Sequence, residues 1–136
     1  MKRPILAFVV GLVVWVLVIS LLNHALRIFV LGYAAAEPTM SFTLGMLAAR
    51  LVIAALTSLT AGAIAAWIAP SSPRLPVLLG TALLVAFLPI HVQLWRLFPF
   101  WYHLVFLATL IPLVVLGSRL TRARPGAGAT AGDAGR

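Results

Sequence analysis

Four long and predominantly apolar segments constrain the fold of this chain more than any other feature. They cover residues 5–31, 42–68, 76–95 and 101–120. A helix needs roughly 20 apolar residues to cross the hydrocarbon core of a bilayer, which is about 30 Å thick. The sequence therefore predicts an all-α polytopic membrane protein, in which residues 1–124 form an antiparallel bundle of four transmembrane helices.

The composition excludes most other classes of protein. Charged residues make up 9% of the 136 positions, whereas a soluble domain usually carries about 25%. Only two residues are acidic, Glu37 and Asp133, and there is no cysteine. A water-soluble globule is therefore excluded, as are disulfides and thiolate metal sites. Reactions that need a pair of carboxylates are nearly excluded as well.

The two ends of the chain carry different signals. Residues 125–136 are rich in glycine and alanine and have no apolar periodicity, so we expect a disordered cytoplasmic tail. The first segment follows a basic start, as a signal peptide does. Its uninterrupted run over residues 5–22 is longer than the roughly 7–15 apolar residues of a signal peptide, so we expect a retained span.

The basic residues are distributed unequally between the two sides of the predicted bundle. One side receives Arg27 and Arg96, with Arg50 near its edge, and the other receives Lys2, Arg3, Arg74, Arg119, Arg122 and Arg124. Loops rich in Lys and Arg remain in the cytoplasm. The distribution predicts that both termini are cytoplasmic. It also accounts for the net charge of +8 without a nucleic-acid partner.

Most of the uncommon polar residues lie near the outward ends of the spans. This candidate outer-leaflet polar site consists of Asn23, His24, Arg27, Glu37, Arg50, His91 and His103. In the simpler interpretation, each side chain extends separately to the lipid headgroups. Thr43, Arg50 and Thr57, however, recur every seven residues, which places Arg50 on a polar helix face. Such a face favours a site inside the bundle.

Glu37 is the only acidic residue before the tail, so we expect an ion pair between Glu37 and either Arg50 or Arg27. The three histidines raise the possibility of a metal or haem site, because imidazole binds both. Their spacing matches no metal-binding motif, however. The sequence therefore predicts no metal site, no cofactor and no catalytic residue.

Small residues recur every four positions along the second span. Such rows allow two helix backbones to approach closely in lipid, and this one consists of Ala54, Ser58, Gly62 and Ala66. The spacing does not distinguish a contact within the chain from one with a second copy. We therefore expect the chain to contact the lipid bilayer and, through this face, a second copy of itself or the other subunits of a larger membrane complex.

Several sequence stretches resemble small uncharacterised bacterial four-span inner-membrane proteins. The resemblance covers most of residues 4–120 and is strongest at Leu88-Pro89-Ile90-His91, Trp101-Tyr102-His103-Leu104 and Tyr33-Ala34-Ala35-Ala36-Glu37-Pro38. It implies a multi-pass protein of the bacterial inner (cytoplasmic) membrane. It implies no activity and assigns no role to any residue.

Three functions remain open from the sequence. The first is a non-catalytic accessory or structural membrane subunit. The second is a small transporter or channel whose outward-facing polar vestibule accepts an anionic or lipid-like solute. The third is a redox subunit that holds a cofactor through histidine. The leading expectation is the non-catalytic subunit, because no catalytic motif is present.

Overall fold

The computed structural model describes residues 2–123, which form five helices and no strand. These are α1 (Lys2–Phe29), α2 (Tyr33–Ala36), α3 (Leu44–Ile68), α4 (Leu75–Gln93) and α5 (Phe100–Arg122). The four long helices are long and apolar enough to cross a membrane. The prediction of an all-α fold with four helices long and apolar enough to span a membrane is confirmed. The tail predicted for residues 125–136 lies outside the described residues.

Local sequence signals explain where the long helices begin and end. The hydroxyl of Thr43 accepts a hydrogen bond from the backbone N–H of Met46 at 3.3 Å and caps α3. α3 ends two residues before Pro70, which cannot continue a helix. Pro76 lies in the first turn of α4, where a missing N–H costs nothing. The helix ends differ from the predicted span ends by at most three residues.

Pairs of contacts give the relative directions of the helices. Trp15 and Ser58 join α1 to α3, and Gly11, earlier in α1, lies beside Ala65, later in α3. These two helices therefore run in opposite directions. Arg50 contacts Tyr102, and Gly62 contacts Val114, so α3 and α5 run in the same direction. The contacts His91 to His103 and Gly80 to Ile111 show that α4 opposes α5.

The small-residue row on α3 is used inside the chain. Ala54, Ser58, Gly62 and Ala66 are all buried. A Cβ atom added at Gly62 would collide with the carbonyl oxygen of Val114, and one added at Gly117 would collide with that of Leu59. The two glycines allow α3 and α5 to touch through their backbones. We call this backbone contact of α3 with α5, at Gly62 and Gly117, the glycine crossing.

Candidate functional site

Five of the seven candidate residues surround one cavity, which we call the open cavity. It has a volume of about 650 Å³ and is open to the surface of the protein. It lies where the C-terminal end of α1, the connection around α2 and the N-terminal part of α3 meet. Its lining consists of Ser20, Asn23, His24, Arg27, Glu37, Pro38, Met40, Phe42 and Arg50. His91 and His103 do not line it.

Glu37 forms its ion pair with Arg27 and not with Arg50. The Nε atom of Arg27 lies 2.7 Å from Oε2 of Glu37. About half of the Arg27 side chain is exposed, with 51% of its area accessible. Of the two pairs expected from the sequence, the Arg27–Glu37 pair therefore forms. This pair lies at the rim of the open cavity. In it, Arg27 neutralises the only carboxylate within residues 2–123.

Arg50 is held by two tyrosines and one phenylalanine. Its Nη1 atom donates a hydrogen bond to the hydroxyl of Tyr33 at 2.7 Å, and its Nε atom donates to the hydroxyl of Tyr102 at 3.3 Å. The guanidinium carbon lies 4.9 Å from the centre of the Phe42 ring, in a cation–π contact. These contacts fix the position of a cation without neutralising it.

Tyr33 was not among the residues selected from the sequence. Gly32 adopts a left-handed conformation with φ of 79°, which turns the chain into α2 and buries Tyr33 completely. The Tyr33 hydroxyl donates to Oδ1 of Asn23 at 3.3 Å while it accepts from Arg50. The signal in the sequence is a single tyrosine directly after a glycine in an alanine-rich loop. That signal does not reveal which residue the tyrosine contacts.

A second and smaller cavity lies next to the first, between α1, α3, α4 and α5. This inner cavity has a volume of about 170 Å³ and shares Asn23 and Arg50 with the open cavity. The rest of its lining is almost entirely apolar or aromatic: Trp15, Ile19, Ile53, Phe87, Tyr102 and Phe106. Arg50 and Asn23 therefore line both cavities, and beyond them the wall of the second cavity is apolar or aromatic.

The other two candidates, His91 and His103, form a separate buried pair. Their Nδ1 atoms lie 2.8 Å apart and share one hydrogen bond. Trp95 stacks on the His103 ring with the ring centres 5.0 Å apart, and Phe106 lies 4.5 Å from the His91 ring. The Nε2 atom of His103 is buried and has no hydrogen-bond partner in the described part of the chain. The seven predicted residues therefore divide into two groups.

The geometry of the histidine pair does not suit a metal bound by both Nδ1 atoms. Zinc–nitrogen bonds of about 2.0–2.1 Å would keep the two nitrogens more than roughly 3 Å apart. The observed hydrogen bond is shorter than that. Within residues 2–123, no three His, Cys, Asp or Glu side chains lie close enough together to hold a metal ion.

The open cavity has the electrostatic character of an anion site. Arg50 is partly buried, and no carboxylate in residues 2–123 lies within ion-pair distance of it. A guanidinium has five N–H donors, and two of those on Arg50 are used by tyrosines. The remaining donors and the uncompensated charge are available to an anionic group. His24 adds a further polar side chain to the lining.

Comparison with protein-family models, curated proteins and solved structures finds no match for this chain.

Proposed function

We propose that this chain is a non-catalytic, multi-pass protein of the bacterial inner membrane, with both termini in the cytoplasm. In this proposal the open cavity faces outward and binds the anionic group of a solute or lipid. The positive-inside rule supports the orientation. The described basic residues at the end of the helices opposite the cavity are Lys2, Arg3, Arg74, Arg119 and Arg122.

The single observation that carries the binding role is the unneutralised charge of Arg50. An ionisable residue within a membrane span is costly, and such residues usually face a cavity or a partner. Glu37 is engaged by Arg27, so it leaves Arg50 without a carboxylate. A bound anion would supply the missing negative charge. Arginine suits carboxylate and phosphate groups in particular, because its planar fork can bond two oxygens at once.

A purely structural accessory role is the second candidate. The observation that favours it is that Arg50 on α3 bonds Tyr33 on α2 and Tyr102 on α5, and so connects three elements. In that role the arginine acts as a brace and needs no ligand. The small-residue row of α3 is occupied within the chain, so a partner protein would contact a different surface.

Inorganic phosphate distinguishes the two roles. We expect phosphate to raise the thermal unfolding temperature of the purified protein in a maltoside detergent, relative to chloride at equal ionic strength, because a ligand stabilises the state that it binds. Arg50→Gln should remove this shift while the protein remains folded. Arg96→Gln, an exposed change outside the cavity, should preserve it. The accessory role instead predicts no phosphate effect on the wild type and a lower unfolding temperature for Arg50→Gln.

A further inference from the structure

The two cavities that meet at Arg50 differ in chemistry. The open cavity presents Arg50, His24 and the Arg27–Glu37 pair. The inner cavity shares Arg50 and Asn23 with it, and the rest of its wall consists of hydrocarbon and aromatic rings, including Tyr102 with its hydroxyl. A ligand that used both spaces would need a charged end and an apolar end, joined at the position of Arg50 and Asn23.

We propose that the ligand of this site is an amphipathic anion with a single hydrocarbon chain. Its carboxylate or phosphate lies in the open cavity beside Arg50, and its chain enters the inner cavity. This inference rests on the anion-binding role proposed above and adds the chemical class of the ligand.

Three polar groups around the inner cavity already have hydrogen-bond partners within the protein. The Tyr102 hydroxyl accepts a hydrogen bond from Arg50, and Oδ1 of Asn23 accepts one from Tyr33. The indole N–H of Trp15 donates to the hydroxyl of Ser58 at 3.1 Å, so it too is occupied. A buried water needs two to four polar partners. Arg50, Asn23 and the Tyr102 hydroxyl still offer donors at the boundary, so an apolar occupant suits only the part of the cavity beyond them, beside Ile19, Ile53, Phe87 and Phe106.

The size of the inner cavity limits the length of the chain. An apolar cavity of about 150 Å³ in another protein stays dry and accepts a ligand as large as benzene, which has six carbons. The inner cavity is similar, at about 170 Å³. It therefore holds about six methylene groups of one chain and is too small for the two full chains of a phospholipid. The open cavity, at about 650 Å³, lies within the usual size range of small-molecule sites.

Rigid aromatic rings form much of the inner wall. The ring centres of Trp15 and Phe87 are 4.7 Å apart, and those of Phe87 and Phe106 are 5.5 Å apart. These contacts join α1, α4 and α5 around the cavity. Because packed rings do not collapse easily into an adjacent space, the volume persists as a preformed site.

A series of alkyl phosphates, from ethyl to decyl, tests the inference on the full chain in maltoside micelles. For the wild type, we expect the dissociation constant to fall by about fourfold per methylene, because each buried methylene contributes about 0.8 kcal/mol. The gain should level off near six carbons. Alkanols of the same lengths measure partition into the micelle and should show no dependence on Arg50.

Ile19→Phe provides the matched variant, because Ile19 lines the inner cavity and not the open one. We expect it to keep ethyl phosphate binding and to lose the gain with chain length. Ile53→Phe, at a second position of the same wall, replaces it if Ile19→Phe does not fold. Two results would overturn the proposal of an amphipathic ligand. One is an affinity that still rises with chain length in Ile19→Phe, and the other is an affinity that does not rise with chain length in the wild type.

Failure of the underlying function has a different signature. If no alkyl phosphate, including ethyl phosphate, binds in a manner that depends on Arg50, the anion-binding role itself is wrong. Nanodiscs distinguish a free amphiphile from a bilayer lipid as the source. Displacement of bound hexyl phosphate by lysophosphatidylglycerol supports a single-chain lipid as the source, and retention in its presence supports a soluble acid. If diacyl phosphatidylglycerol displaces hexyl phosphate equally well from the wild type and from Ile19→Phe, the alkyl chain of the ligand does not occupy the inner cavity.

Discussion

The two ends of the bundle are built from the same helices but packed in opposite ways. At the glycine crossing, α3 and α5 touch through their backbones because Gly62 and Gly117 have no side chains. At the other end, the same two helices are joined by the side chains of Arg50 and Tyr102. We call these regions the glycine end and the cavity end.

The difference shows how a small helical bundle can hold a cavity open. Hydrophobic burial does not drive helices together in lipid, so close packing requires small residues. The glycine end meets this requirement and holds α3 against α5. Large polar and aromatic side chains then fill the cavity end only partly, which leaves the open and inner cavities. We infer that the backbone contact at the glycine end stabilises the fold and that the side-chain contacts at the cavity end leave polar groups free to bind.

The largest effect is expected at the glycine end. Gly62→Ala would place a methyl group against the backbone of Val114, which cannot move without separating α3 from α5. We expect a loss of stability of about 3 kcal/mol or more, at the upper end of the usual range for overpacking. The measurement is the thermal unfolding temperature, together with the yield of monodisperse protein in detergent.

Gly45→Ala is the matched control for this change. Gly45 is exposed in the first turn of α3, and an added Cβ atom would approach only the Thr43 hydroxyl, at 4.0 Å. We expect this variant to be as stable as the wild type or slightly more stable, because alanine favours a helix over glycine. Equal losses at Gly62 and Gly45 would contradict the assignment of the glycine crossing as the tight contact.

An intermediate effect is expected from the histidine pair at the cavity end. His91→Phe would remove the hydrogen-bond partner of the buried His103 Nδ1 atom. A buried polar group left unsatisfied costs about 1–3 kcal/mol. We expect a loss of this size in the free energy of unfolding, measured by denaturation in mixed micelles.

The double variant His91→Phe/His103→Phe sharpens this prediction. It removes both partners, and with them the Nε2 atom of His103 that has no partner within the described residues. We therefore expect the double variant to be more stable than His91→Phe alone. Simple addition of two independent losses would show that the pair contributes no mutual interaction.

The smallest effect is expected from the ion pair at the rim of the open cavity. Glu37→Gln would break the contact with Arg27, whose side chain is half exposed. Exposed ion pairs contribute about 0–1 kcal/mol, so the unfolding temperature should change little. A loss of stability as large as that of Gly62→Ala would instead show that the Arg27–Glu37 pair is needed for the fold. It would contradict the difference proposed between the two ends.

Much of the fold could be predicted from the sequence because hydrophobic length is a local property. The four long apolar segments are enough to locate the four long helices, and the proline at position 70 explains the end of α3. The short helix α2 could not be predicted in this way. It depends on the left-handed conformation of Gly32 and on the burial of Tyr33, and both of these depend on tertiary contacts.

The candidate site was less accessible to sequence reasoning. Polar residues near span ends can be counted, but their directions depend on helix rotation, which hydrophobicity alone does not determine. The sequence places Arg50 on a polar helix face, and in the structure Arg50 lines both cavities. The separation of His91 and His103 from the open cavity was not visible, because it depends on how α4 packs against α5. Tyr33 belongs to no periodic pattern of polar residues, so the sequence gives no reason to select it.

The hydrogen bond between the two histidines has a consequence for the nitrogen atoms that do not take part in it. With both rings neutral, one Nδ1 carries the hydrogen and the other is bare. The donor ring then has an unprotonated Nε2, and the acceptor ring has an Nε2–H. The far edges of His91 and His103 are thus always opposite in polarity. A hydrogen-bond partner that required a donor at one edge would therefore impose an acceptor at the other.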